Sequence, residues 1–232
     1  MTKRLVSAIL LVAAVVTPSA EAVQIALTPA NVIGGSGSYP GVAFNSGQFN
    51  AGLILDKQTG AMGEANQVGG DADGGYWLNA DGGPAAAYIV IDLGAAYQLD
   101  EVELFNTHNA QFNDRGTGRF SITGGNAVTN LGAAGFDLTG STTLLVLDNL
   151  APEVQANDPL NAQAFNITDA GSYRYLRFAP LTVASGGAPC CGANNYGLNE
   201  IRFFSTALPE PSVVAMGMIG AASLLMGRRR RA

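Results

Sequence analysis

Ala87-Tyr88-Ile89-Val90-Ile91-Asp92-Leu93-Gly94 is the stretch on which the fold turns. Its apolar run is closed by Gly82-Gly83-Pro84 upstream and by Leu93-Gly94 downstream. A short run with β-branched and aromatic side chains, walled by turn formers, reads as a strand buried on both faces. Working outward, Glu101-Val102-Glu103-Leu104 and Arg119-Phe120-Ser121-Ile122 alternate with period two, and residues 142–147 form another apolar strand. In residues 173–178, Tyr173, Tyr175 and Arg177 share one face; Arg174, Leu176 and Phe178 share the other. Asn199, Ile201 and Phe203 alternate with Glu200 and Arg202 in the last strand. Tyr88, Val90, Leu104, Phe120, Leu176 and Ile201 are therefore the expected core. Away from the two termini no window carries an amphipathic helical period, and no internal repeat is found. Short strands joined by Gly- and Asn-rich turns indicate an all-β protein, a β-sandwich or jelly roll.

The termini carry a different message. Lys3 and Arg4 precede an apolar run over residues 5–16, Thr17-Pro18-Ser19 break it, and Ala20-Glu21-Ala22 supplies a small-x-small cleavage pattern. The run is too short to span a membrane and ends in a cleavage site, as in a secretory signal peptide over residues 1–22. At the other end, residues 213–227 are uncharged and are followed by Arg228-Arg229-Arg230-Arg231. At ~1.5 Å per residue such a helix is shorter than a hydrocarbon core of roughly 30 Å, so it spans only marginally. The arginines stay cytoplasmic and leave the intervening domain, residues 23–207, outside.

Charge narrows the partners. With the two terminal signals set aside, six basic residues face sixteen acidic ones, a formal charge of −10 for the domain. Phosphate backbones find no basic patch, so nucleic acid is not an expected partner. Acidic side chains in Gly-rich loops suit divalent cations better. Cys190 and Cys191 are adjacent, so they cannot staple distant parts of the fold. One histidine, His108, rules out a His-based metal cluster. Ser36 in Gly34-Gly35-Ser36-Gly37-Ser38 misses the nucleophile elbow by its last residue. Asp71 and Asp73 could serve as paired carboxylates, but acids in glycine loops are more often solvated or ion-bound, and the chain reads as non-catalytic.

Two resemblances sharpen the picture. The tail, residues 208–232, with Pro209-Glu210-Pro211, the apolar run and the terminal arginines in that order, resembles the PEP-CTERM sorting signal of Gram-negative bacteria. That resemblance implies recognition by an exosortase after signal peptidase has acted, a membrane-held intermediate, and release to the cell surface or an extracellular polysaccharide matrix. The order Leu55-Asp56, Tyr76-Trp77, Tyr88 through Gly94, Val102-Glu103-Leu104, Arg119-Phe120-Ser121-Ile122, Tyr175-Leu176-Arg177-Phe178 and Leu198-Asn199-Glu200-Ile201-Arg202-Phe203 resembles the discoidin, or coagulation factor 5/8 type C, domain. It covers about two-thirds of the chain. It implies a galactose-binding-like jelly roll that recognises glycans, lipids or proteins through loops at one end, with Trp77 as a core residue. It also implies a structural calcium ion, with Asp56 and Glu200 as side-chain ligands and the Thr59 carbonyl adding to the shell. Lys57 stands where that family usually has glycine, and its ammonium is an alternative partner for Asp56. Arg177 and Arg202 are alternative partners for Glu200.

The segment from His108 to Thr117 joins two predicted strands and is dense in groups that bond sugar hydroxyls. His108, Asn109, Asp114 and Arg115 are the candidate ligand-binding residues. The competing reading is a turn in which Asp114 and Thr117 bond the local backbone and Arg115 pairs with an acid. Function accordingly divides between a surface module that recognises carbohydrate and a structural matrix protein without a small ligand.

Overall fold

The computed structural model describes residues 22–60, 75–80, 87–107, 115–147, 150–151, 161–184 and 196–206. Ala22–Thr206 forms one compact unit. Residues 1–21 of the signal peptide, the sorting tail, Cys190, Cys191, Asp71, Asp73, His108, Asn109 and Asp114 lie outside the described residues, whereas Ala22 opens β1. No helix among the described residues is long and apolar enough to cross a membrane.

The quoted stretch opens β4 (Ile89–Phe105), which is 17 residues long and absorbs both the strand predicted before Asp92 and the one predicted over residues 101–104. Its first part pairs antiparallel with β10 (Ser172–Pro180) and β2 (Val32–Gly35). Its last part pairs with β12 (Glu200–Thr206) and β9 (Gln163–Asn166). A strand has two edges, so serving four neighbours means that each half belongs to a different layer. The layers extend through β10 to β5 (Phe120–Gly125) and β8 (Thr142–Leu147), and through β12 to β1 (Ala22–Gln24).

The change of layer is built into residues 93–96. Tyr97 pairs with Tyr173 and Asp92 with Tyr175, so four residues of β4 bulge opposite the single Arg174. Gly94 takes a φ of 82° there, a left-handed conformation that a side chain would strain. Its N–H bonds Asp92 Oδ1 at 2.8 Å, closing a local Asx turn. The Asp-Leu-Gly sequence is thus a bend within one long strand rather than a strand end.

Val102, Leu104, Ile201 and Phe203 from one layer meet Ile89, Ile91, Phe120, Ile122, Leu176 and Phe178 from the other in a single core. Phe120 and Phe165, from opposite layers, stack edge-on with centroids 5.3 Å apart, which marks the sandwich interface. Trp77 is wholly buried and packs edge-on against Phe178. Of the six residues expected in the core, Val90, Leu104, Phe120, Leu176 and Ile201 are fully buried. Tyr88 is the exception. It precedes β4, is half-buried, and lies under the Arg177 guanidinium, 4.4 Å from the ring centroid.

The expected alternation in the last strand is also absent. Glu200, Ile201, Arg202 and Phe203 are all buried, because one face of β12 lies in the core and the other is covered by chain outside the sheet. Asn199 precedes β12 rather than belonging to it. The cover over Glu200 and Arg202 comes from the turn that follows the short 3-10 helix Ala51–Leu55. Asn50 caps that helix by accepting from the Gly52 N–H at 3.0 Å, and Ile54 and Leu55 anchor it in the core. β6 (Val128–Asn130) and β7 (Phe136–Leu138) form a separate hairpin, and β3 (Trp77–Leu78) pairs with β11 (Gly197–Leu198).

Candidate functional site

The turn 56–60 begins where the buried 3-10 helix ends, so its backbone is delivered to the edge of β12 in a fixed orientation. Glu200 is 143 residues from Lys57 in sequence, yet its Oε2 accepts the Lys57 N–H at 3.2 Å. Its Oε1 accepts from the Gln58 side-chain amide, whose Nε2 also donates to the Ile201 carbonyl at 2.9 Å. Arg202 Nη2 donates to the carbonyls of Lys57 and Gly60, at 2.9 and 3.0 Å. Asp56, exposed at the start of the turn, accepts the Gly75 N–H on Oδ2 at 3.0 Å. Gln24 of β1 completes the cluster by donating to the Gln58 carbonyl.

The electrostatics follow from burial. The Glu200 carboxyl is removed from water and its pKa is pushed up to about 9, with the nearby Asp56 charge adding to the effect. The Lys57 N–H, the Gln58 amide and the Arg202 guanidinium pull the other way without overcoming burial. Desolvation also raises Asp56, against the Gly75 N–H and the Lys57 charge. A sunken carboxyl beside a second acid either keeps its proton or needs a cation close by to ionise. Among the described residues no group of three His, Cys, Asp or Glu side chains gathers, so an ion here would draw on backbone oxygens as well. Two carboxylates and the carbonyls of a turn form the all-oxygen donor set that suits calcium. Thr59 lies exposed in the same turn. Arg177 is placed elsewhere, 3.1 Å from Asp137 and over Tyr88. The participation of Gln58 and Gln24 was not foreseen. Their proximity depends on two strands and a turn meeting, which no local pattern signals.

A second cluster surrounds Arg115, the one described member of the predicted ligand-binding set. Its Nη1 donates to the Tyr76 hydroxyl at 2.8 Å, and its guanidinium lies 5.9 Å from the Phe49 ring centroid. Phe49, Tyr76 and Leu78 form a small buried cluster of their own, against which Tyr39 packs. Phe49 contacts both Tyr39 and Tyr76 ring to ring, at 6.0 and 5.0 Å. The backbone beneath Arg115 is held as firmly. Gly197 N–H donates to the Arg115 carbonyl at 2.6 Å, and Gly116 bridges Gly197. Thr117 is buried, and its hydroxyl reaches the Gly197 carbonyl, 80 residues away, which corrects the expectation of a bond to local backbone.

Asn106, absent from the sequence-based candidates, organises this end of the sandwich. Fully buried, it donates to the carbonyls of Thr117 and Ala151 and accepts from the N–H groups of Thr107 and Thr117. One amide thus secures three chain segments through four hydrogen bonds. The two clusters are contiguous along the chain, since Asp56 fixes Gly75 and the next residue, Tyr76, holds Arg115.

No family model matches the sequence, and no curated protein does. Solved structures do resemble it. A SusE-like protein superposes with a TM-score of 0.53 at 12% identity, over 81% of this chain and 68% of that one. A CBM32 module from a family 31 glycoside hydrolase of Clostridium perfringens gives 0.48 at 16% identity, over 78% and 95% of the two chains. Another C. perfringens CBM32 module, solved in complex with GlcNAc-α-1,4-galactose, gives 0.43 at 19% identity, over 81% and 96%. At such identities the likeness to the SusE-like protein is one of fold: this chain is a β-sandwich.

Proposed function

We propose that this protein is an exported carbohydrate-binding module rather than an enzyme, displayed at the cell surface or in the extracellular matrix of a Gram-negative bacterium. The observation that carries the reading is the setting of Arg115. Arg115 is half-buried, and its guanidinium is oriented by the hydroxyl of buried Tyr76 and the ring of buried Phe49. A planar donor fork held in one orientation suits vicinal sugar hydroxyls and loses little side-chain entropy on binding. The discoidin-like order of segments supports the same reading, since that resemblance implies recognition by loops at one end of the sandwich. His108, Asn109 and Asp114, which adjoin Arg115 in sequence, are proposed to complete the contact.

Delivery is proposed to follow from the termini. Signal peptidase cleaves after Ala22, the C-terminal apolar helix holds the chain in the inner membrane, and an exosortase acts near Pro209-Glu210-Pro211. We further propose that a structural calcium ion binds the turn, held by Asp56, Glu200 and backbone oxygens including that of Thr59. Bound there, calcium would neutralise the buried carboxyl and rigidify the segment that positions Tyr76 and Arg115.

The test is affinity electrophoresis of the exported protein through gels containing the producing cell's extracellular polysaccharide. Retardation that Arg115→Ala relieves is expected. Equal mobility of both proteins with and without polysaccharide would favour a structural matrix protein with no small ligand.

A further inference from the structure

Nitrogen donors of the chain are bonded to oxygens of the turn 56–60 and of β12 beside it. Gln58 Nε2 sits between Glu200 Oε1 and the Ile201 carbonyl. Arg202 Nη2 joins the Lys57 and Gly60 carbonyls. A carboxylate and carbonyls are the ligands that a hard divalent cation uses, and here they are bonded to nitrogen donors of the chain itself.

We propose that the Gln58 carboxamide is an internal surrogate for the cation: it holds the turn against β12 when no ion is bound and is displaced when one enters. Three observations support this. Gln58 is the residue of the turn whose side chain reaches both Glu200 and Ile201. It is only part-buried, so it has somewhere to swing. It is also tethered to a second element, since Gln24 of β1 donates to the Gln58 carbonyl and lies 3.5 Å from its Oε1. Arg202 stays in place during the exchange, because it is buried, stacks over Phe105 with 4.6 Å to the centroid, and lies 4.0 Å from Glu103. The consequence is a domain that folds with or without calcium, with an ion affinity set by competition against its own glutamine.

This inference rests on the calcium reading above, and the experiment separates the two. Thermal melting of the full-length exported protein is recorded in chelator and across a calcium titration, for the wild type, Gln58→Ala and Gln58→Glu. Loss of the amide's two hydrogen bonds should lower the melting temperature of Gln58→Ala in chelator. It should also tighten its apparent calcium Kd by about tenfold or more, because the competitor is gone. Gln58→Glu keeps the size of the side chain but adds a further acid, beside Asp56, against Glu200. It should melt lowest of the three in chelator and show the largest rise with calcium. If calcium raises all three melting temperatures by the same amount, the ion binds but Gln58 does not compete, and the surrogate is wrong. If calcium moves none of them, both the calcium reading and the surrogate fall. Should Gln58→Ala not fold, the comparison of Gln58→Glu with wild type decides between the same outcomes.

Discussion

Single residues decide where the fold tolerates change. Leu104 is fully buried at the point where β4 meets both β12 and β9. Leu104→Ala should destabilise the domain by about 2–5 kcal/mol, read from urea or thermal unfolding, because the cavity lies in a core packed from two layers. Gly34 is constrained from the opposite direction. A Cβ there would lie 2.0 Å from the Phe136 carbonyl oxygen, and the neighbouring Gly135 pairs with it across the bridge that seats the β6–β7 hairpin. Gly34→Ala should cost about 1–3 kcal/mol by forcing the hairpin away, and the same unfolding experiment measures it. Leu104 was legible in the sequence through its period-two pattern, whereas Gly34 was not. A glycine required by close approach looks the same in sequence as one in a loose loop, and Phe136 is 102 residues away.

At the scale of elements, sequence patterns located strands well and junctions poorly. Asp92-Leu93-Gly94 marked a turn correctly but as the end of a strand, since local chemistry cannot reveal that the chain resumes the same strand in another layer. The bulge carries its own clasp, with Arg174 donating to both carboxylate oxygens of Asp92 at 2.8 and 2.9 Å. That pairing, ahead of the Gly94 N–H, holds the Asp92 carboxyl below its ordinary value, against a smaller cost of desolvation. The unfolded chain therefore takes up the proton first as pH falls. The clasp stabilises the fold above about pH 4 and is lost as the pH drops through the folded-state value. Melting temperatures of the wild type and Arg174→Ala should differ at pH 6 and converge towards pH 2. A constant difference across that range would assign the effect to the Arg174 guanidinium lying over the Tyr175 ring instead. The candidate site shows the same division. Asp56 and Glu200 were named through a family resemblance and lie at one turn, whereas Gln58, Gln24 and Asn106 act through contacts between distant segments.

At the scale of the whole molecule, a sandwich with one end secured by Asn106 and by the Asp56–Gly75 bond offers a rigid platform for recognition. The proposed terminal signals would set where that platform is delivered. Intact mass of the protein released by an exosortase-containing host should correspond to a chain that starts at Val23 and ends near Pro209-Glu210-Pro211. Secreted soluble protein that retains Arg228 through Arg231 would contradict the sorting account. The central claim, carbohydrate recognition through Arg115, is tested most directly on a glycan array probed with the exported protein and with Arg115→Ala. Wild type should bind a restricted set of glycans saturably. Arg115→Ala, with an unchanged circular-dichroism spectrum, should lose about tenfold or more in affinity, the value of charge-assisted hydrogen bonds removed from a fixed guanidinium. Binding of no glycan by the wild type, or equal binding by both proteins, would contradict the account.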